Sequence, residues 1–380
     1  MRRRHQSAAA LTSCDVPVTD VEVSAYTVPT GDPDVGEADG TLTWDSTTLV
    51  LVRAVAGDEA GTGWTYGPTA CVDVVRDKLA TEVLGHSALD VEAVNRAMAR
   101  ALRNDGRPGV GAMALSAVDI ALWDLKARLL ELPLHRLLGS YREAVPVYGS
   151  GGFTTYTDRQ TVDQLTRWRS AGISQVKIKV GEGRGEHTKR DISRARLARS
   201  TIGPRAQLFV DANGAYTPQQ AVNWLREAEA GISWFEEPVT SDDLDGLRRV
   251  RDNVDADVTA GEYGYDLSYF AGMVGAGAVD CLQVDASRCG GITEWRRVAA
   301  LAAANHLDVS AHCAPHLHAA VAAATPNLRH LEWFHDHVRI ENLFFEGATD
   351  CPEGGLLPLS DGSGHGFELR PTAAEPFRVR

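Results

Sequence analysis

No stretch of the 380 residues approaches the roughly 20 consecutive apolar side chains that a helix needs to cross a bilayer, so a membrane protein is not expected. A Cys-x-x-Cys pair is missing as well. The six cysteines, Cys14, Cys71, Cys281, Cys289, Cys313 and Cys351, lie without regular spacing, which speaks against a thiolate zinc site or a disulfide framework and for free thiols in a reducing cytoplasm. The start, MRRRHQSAAALTSCD, carries a basic cluster but too short an apolar run for a secretory signal, and a disordered tail over residues 1–17 is expected. Positive charge is scarce: 38 Lys and Arg stand against 51 Asp and Glu, a formal charge of −13. That balance excludes nucleic-acid backbones as expected partners, and an anionic substrate would need a local cation. Low-complexity tracts and close repeats are absent, which rules out a solenoid.

The length exceeds that of most single domains and predicts either two domains or one large barrel with additions. VTDVEVSAYTV (18–28) and TTLVLVRAVA (47–56) read as strands around a Gly/Asp-rich loop, TGDPDVGEADGTLTWDS. Residues 69–104 and 111–131 then read as helices, the second apolar around most of its circumference and so expected to be buried. Strands followed by helices predict an α+β domain over 18–140.

From about residue 145 short apolar strands alternate with helical stretches: VPVYGSGG, QVKIKVG, QLFVDANG, ISWFEEPV, DVTAGEYG, VDCLQVDA, LDVSAHCA and LRHLEWF. Polar residues near the ends of seven of them, Lys179, Asp211, Glu236, Glu262, Asp285, His312 and Glu332, are separated by 32, 25, 26, 23, 27 and 20 residues, close to one strand-helix unit each. Eight such units predict a (β/α)8-type barrel over 141–350, with functional groups at the C-terminal ends of parallel strands. The Gly-, Pro- and Ser-rich segment 351–380 is expected to pack back on the first domain.

Strand parity supports a shared polar pocket. In QVKIKVG the side chains of Val176, Ile178 and Val180 share one face and those of Lys177 and Lys179 the other. Gln283 with Asp285, Ser310 with His312, and His330 with Glu332 repeat the pattern. Taken alone, a Lys-x-Lys is more often a wet edge strand, but seven successive strands with ionisable groups at equivalent positions point to a common site. Three carboxylates on consecutive strands, Asp211, Glu236 and Glu262, would repel strongly in a barrel mouth, and an all-oxygen set of this kind suits Mg2+. Glu236 and Glu237 are adjacent, and spacing alone does not say which of them points inward.

The ordered set SAVDIALWDLKARLLELPLHRLLG, K-I-K at 177–179, D-A-N-G at 211–214, F-E-E-P at 235–238, G-E at 261–262, Q-V-D-A-S-R-C-G-G-I-T at 283–293 and His312 resembles the enolase superfamily, specifically its mandelate racemase subgroup. The resemblance covers almost the whole chain from about residue 18. It implies an α/β fold, a modified TIM barrel of (β/α)7β type beneath an N-terminal α+β capping domain, and Mg2+ held by Asp211, Glu236 and Glu262. Lys179 matches an acid/base on one side of the substrate. His312, paired with Asp285, matches the acid/base on the other. Lys177 and Glu332 match groups that hold the substrate carboxylate, with Lys177 also depressing the pKa of Lys179, and Asn213 matches a frequent contact to a substrate hydroxyl. Trp44, in the capping loop, is a candidate wall of the substrate pocket.

The implied chemistry is removal of a proton α to a carboxylate through an enediolate. Acid-sugar dehydration to a 2-keto-3-deoxy acid is the first expectation, and racemisation or epimerisation of a 2-hydroxy acid the alternative. Expected partners are a small-molecule carboxylate and further copies of the same chain, with neither nucleic acid nor membrane, in the cytoplasm. Thr65, Tyr66 and Tyr263 depart from common family patterns without removing an implied ligand. A zinc hydrolase built from His312, His316, His318, His335 and His337 is disfavoured because no His-x-His lies near the first barrel strand. A binding protein without chemistry is disfavoured because every implied position is filled.

Overall fold

The computed structural model describes residues 15–31, 35–349 and 351–380. Strands β1 (Asp20–Pro29), β2 (Ser46–Ala56) and β3 (Glu59–Tyr66) form an antiparallel meander; β1 and β2 lie close to the strands expected there, whereas β3, with Gly61 and Gly63 in its sequence, is not among those expected. The helix expected over 69–104 is two helices, at 70–83 and Val91–Ala101. Leu84 turns extended and Gly85 adopts φ +77°, a left-handed value that suits glycine. The turn is tied to the chain ahead of β1, with the Gly85 and Ala88 N–H groups each donating at 2.9 Å to the carbonyls of Val18 and Val16. A tertiary partner, invisible to local periodicity, thus ends the helix. Residues 1–14 of the expected tail lie outside the described residues.

The apolar helix Val110–Leu129 is wedged between this sheet and the barrel. Glycine lets β3 lie flush on it, because a Cβ at Gly61 would sit 2.2 Å from the Leu125 nitrogen and one at Gly63 2.3 Å from the Ala117 oxygen. On its other side buried Asp119 accepts hydrogen bonds from Thr293 N–H (3.0 Å), Thr293 Oγ1 (2.6 Å) and Asn95 Nδ2 (2.7 Å). One carboxylate so clamps the capping elements to the barrel helix Gly291–Ala304.

The barrel strands are β4 (Ala144–Gly151), β5 (Gln175–Lys179), β6 (Gln207–Asp211), β7 (Ile232–Glu236), β8 (Asp257–Ala260), β9 (Cys281–Val284), β10 (Asp308–Ala311) and β11 (Leu328–Phe334). All eight pair in parallel in chain order, and β11 closes on β4 through the register Leu331 to Val147. Outward-facing Val176, Ile178 and Val180 join the core under the helices, while Lys177 and Lys179 turn into the barrel. Beneath the polar ends Tyr148, Phe209, Trp234 and Cys281 form a separate buried cluster, with His330 packed edge-on against the Tyr148 and Trp234 rings. This aromatic floor separates the strand-end groups from the far end of the barrel.

The helix after β11, His335–Phe344, binds the cap: its Glu341 accepts hydrogen bonds at 3.2 Å from Trp64 Nε1 and Tyr66 OH. Leu356–Pro358 pairs antiparallel with β4, and the last residues return to β1, where Val379 N–H donates to the Ala25 carbonyl at 2.9 Å. No helix among the described residues is long and apolar enough to cross a membrane.

Candidate active site

Strand register sets the geometry. Lys179 lies beside Asp211, and Asp211 beside Glu236, on three adjacent strands, while Glu262 follows the end of β8. Asp211, Glu236 and Glu262 are all buried, and each presents a carboxylate oxygen within 4.8 Å of the others. Lys177 Nζ stands 2.5 Å from Glu236 Oε1, 2.8 Å from Glu332 Oε1 and 3.6 Å from Asp211 Oδ2. Lys179 Nζ is 2.5 Å from Asp211 Oδ2. On the opposite flank His312 Nε2 lies 3.3 Å from Glu262 Oε2, and its Nδ1–H donates to Asp285 Oδ2 at 2.8 Å. The two groups matched to acid/base roles therefore bracket the carboxylate cluster, one against Asp211 and one against Glu262.

Charge and burial oppose each other throughout. Burial and the Lys177 ammonium favour a neutral Lys179, but Asp211, Glu236 and Glu262 together outweigh them and raise the ammonium pKa, so the depression expected from Lys177 is not the net effect. Burial and the Asp211 carboxylate together push Glu236 up to about 8. Glu262 and Asp285 go the other way: burial would raise both, yet His312 and Arg288 hold them below the usual carboxylate range. His312 itself is raised, the penalty of burial being exceeded by Cys313, Glu262 and Asp285. Four carboxyl groups (Asp211, Glu236, Glu237 and Glu262) thus crowd around two lysines, and buried Glu262 Oε2, Glu237 Oε1 and Asn213 Oδ1 lack hydrogen-bond partners. Orphaned, convergent hard oxygens fit a divalent cation.

The residues matched to metal, acid/base and substrate-binding roles lie at or directly beneath this mouth. A cavity of about 360 Å3 is lined by Lys179, Asn213, Glu262, His312 and Trp44, the last packed edge-on against Phe153 at 5.4 Å. Asp285 lies behind His312, and Glu332 is fixed by Ser150 Oγ (2.6 Å) and the Cys313 N–H (2.8 Å). The choice between Glu236 and Glu237 resolves in an unexpected way. β7 ends at Glu236, Glu237 takes φ +37°, and both side chains are buried, with Glu262 and Asp211 adding to burial in raising the Glu237 pKa.

Other groups escaped sequence reasoning. Arg288 lines the cavity, 3.8 Å from Glu262 Oε1 and 3.6 Å from Asp285 Oδ2. Buried Arg194 donates to the carbonyls of Lys179 (2.6 Å), Gly152 (2.5 Å) and Phe153 (2.8 Å), tying the ends of β4 and β5. A lone arginine on a helix offers no sequence signal for that task.

The extra histidines divide. His316 is engaged by Glu341 (2.7 Å) and by the Thr349 N–H (2.9 Å), and His318 Nε2 accepts from the Ala286 N–H (2.8 Å), so both are structural. His335 packs beside Phe153. His337 lines the cavity: its ring lies 3.4 Å from that of Tyr66, its Nδ1 accepts from the Ala314 N–H (3.1 Å), and burial keeps it neutral.

Residues 160–373 match the family model described as enolase C-terminal domain-like, and residues 25–139 match that of the mandelate racemase / muconate lactonizing enzyme N-terminal domain. The chain belongs to the mandelate racemase / muconate lactonizing enzyme family. Within the family it is 31% identical over 357 residues to D-galactarolactone cycloisomerase of Agrobacterium fabrum, covering 89% of this chain and 93% of the relative. It is 30% identical over 329 residues to L-talarate/galactarate dehydratase of Salmonella typhimurium, covering 84% and 80%. A structure of that dehydratase with Mg and L-lyxarohydroxamate superposes with a TM-score of 0.88 at 26% identity, covering 100% of this chain and 96% of the other. A mandelate racemase/muconate lactonizing enzyme-like protein of Rubrobacter xylanophilus superposes with a TM-score of 0.91 at 49% identity, covering 96% and 100%.

Proposed function

We propose that this chain is a Mg2+-dependent enzyme that removes the proton α to a carboxylate of an acid sugar and expels the β-hydroxyl, giving a 2-keto-3-deoxy acid. The observation that carries the reading is the bracketing of three convergent carboxylates by Lys179 on one flank and the His312–Asp285 pair on the other. Asp211, Glu236 and Glu262 would hold Mg2+. Once bound, it supplies the positive charge that a substrate carboxylate needs as it becomes an enediolate.

The protein's own groups do the rest. Lys177, already 2.8 Å from Glu332, offers an ammonium for a substrate carboxylate oxygen. Burial would raise the Glu332 pKa, but Lys177 and His312 hold it well below the usual carboxylate range, so Glu332 is an acceptor that fixes this ammonium and not the hydrogen-bond donor that the resemblance implies. Lys179 and His312 exchange protons from opposite flanks: one takes the α-proton and the other protonates the departing hydroxyl. Asp285 keeps the proton on Nδ1, leaving Nε2 free to work. Trp44 and the cap loop close the mouth, and Asn213, with an unpaired buried Oδ1, meets a substrate hydroxyl.

A second reading uses the same groups. Delivery of a proton to the opposite face gives racemisation or epimerisation, and the similarity to a cycloisomerase at 31% identity favours keeping an isomerase in view. Incubation with a library of mono- and diacid sugars in D2O, with Mg2+, decides. Keto-acid formation that EDTA abolishes is expected. Deuterium exchange without keto acid assigns the isomerase, and absence of both with Mg2+ bound overturns the reading.

A further inference from the structure

The geometry points to a second metal site, for a soft divalent cation such as Zn2+, formed by His312 Nε2, Cys313 Sγ and a carboxylate oxygen of Glu332. These three donor atoms lie within 4.8 Å of one another, and all three residues are buried. Sγ and Nε2 are 3.3 Å apart. Tetrahedral zinc with Zn–S near 2.3 Å and Zn–N near 2.0–2.1 Å sets sulfur and nitrogen about 3.5 Å apart, so the pair needs almost no rearrangement to chelate.

Two local features favour metal over a chance contact. Adjacent strand residues would send their side chains to opposite faces, yet Cys313 (φ +50°) and Ala314 (φ +39°) are both left-handed, and the thiol comes round to the imidazole of its neighbour. His312 also has its other nitrogen fixed, Nδ1–H donating to Asp285 at 2.8 Å, the carboxylate support that orients metal-binding histidines. His312 and Cys313 both line the cavity, which leaves a fourth position open to water.

The donor sets separate the two sites by chemistry. Asp211, Glu236 and Glu262 offer hard oxygens alone, while the second site offers sulfur, nitrogen and oxygen, a set that binds Zn2+ or Cd2+ and neglects Mg2+. Zinc here occupies Nε2, the nitrogen assigned to proton transfer, and so stops turnover with Mg2+ in place. This inhibition rests on the proposed role of His312; the binding itself does not.

The test uses the full chain in excess Mg2+, titrated with Co2+ and followed by thiolate-to-metal charge-transfer absorption. A band saturating at one Co2+ per chain is expected. It should vanish in Cys313→Ser and in Cys313→Ala, variants in which Cys71, Cys281, Cys289 and Cys351 remain as internal controls. In turnover assays the inhibition constant for Zn2+ should rise at least about tenfold in a folded variant. Absence of the band in the parent protein overturns the proposal, as does a band of equal strength in both variants. Equal zinc inhibition of parent and variants overturns the inhibition drawn from the site, by placing the inhibitory zinc in the carboxylate cluster. A cobalt band without turnover of any carboxylate would leave the metal site standing and remove the proposed function instead.

Discussion

Replacing Asp285 by Asn should disable His312 by trapping the wrong tautomer. Asp285 Oδ1 accepts hydrogen bonds from the Ser287 N–H and Oγ, both at 2.7 Å, while Oδ2 accepts from His312 Nδ1–H at 2.8 Å. The Ser287 N–H is a fixed donor, so in Asp285→Asn the amide oxygen must stay on that side and the NH2 must face the imidazole. Nδ1 then becomes the acceptor and the proton moves to Nε2, which no longer serves as a base. Loss of the correct tautomer costs an acid/base histidine about 10^3 to 10^4 in rate, or about 4–5.5 kcal/mol of barrier. The assay is kcat for keto-acid formation alongside α-deuterium exchange, with Mg2+ content and melting temperature as controls. Exchange initiated by Lys179 should survive better than exchange initiated by His312, so the loss should depend on substrate configuration. A folded, Mg2+-loaded Asp285→Asn protein within tenfold of the parent on both faces would refute the reasoning.

Three further outcomes follow from other regions. Binding of Mg2+ at about 100 times its Kd should add about 2.7 kcal/mol of stability, and a melting temperature indifferent to EDTA and Mg2+ would remove the cation from the carboxylate cluster. Glu37, on the two-residue ladder with Trp44, has its pKa raised from 4.5 to about 8 by burial and by Asp336. The folded state therefore keeps a proton that the unfolded chain has lost, and stability should fall as pH rises from 4.5 to 8; Glu37→Gln should flatten that slope in pH-dependent melts, and an unchanged slope would contradict the assignment. Gly63→Ala would force a Cβ to 2.3 Å from the Ala117 oxygen and 2.4 Å from the Ala121 nitrogen, and should lower urea stability by about 1–3 kcal/mol, whereas an unshifted midpoint would show that β3 and its helix part freely.

The barrel and much of its mouth were legible because each rests on a period. Strand alternation alone puts Lys177 and Lys179 on one face, and the repeat of strand and helix puts Asp211, Glu236, Glu262, Asp285, His312 and Glu332 at successive strand ends. What stayed hidden rests on single backbone angles or on distant partners. Glu237 is buried because φ at that residue turns left-handed, and Cys313 meets His312 for the same reason. The break at Gly85 depends on carbonyls almost 70 residues earlier in the chain, at Val16 and Val18, and the task of Arg194 depends on the carbonyls of β4 and β5.

The amino-acid order by itself determined which chemical groups stand at which strand ends, since a two-residue period and a repeating unit admit little choice. Only the tertiary structure decided how those groups meet. The shear of the closed sheet sets Lys179 against Asp211 and Glu236 against Lys177. The turn after β10 sets a thiol against an imidazole. Distances between residues far apart in the chain follow from register and closure, which are properties of the whole barrel and of no segment within it.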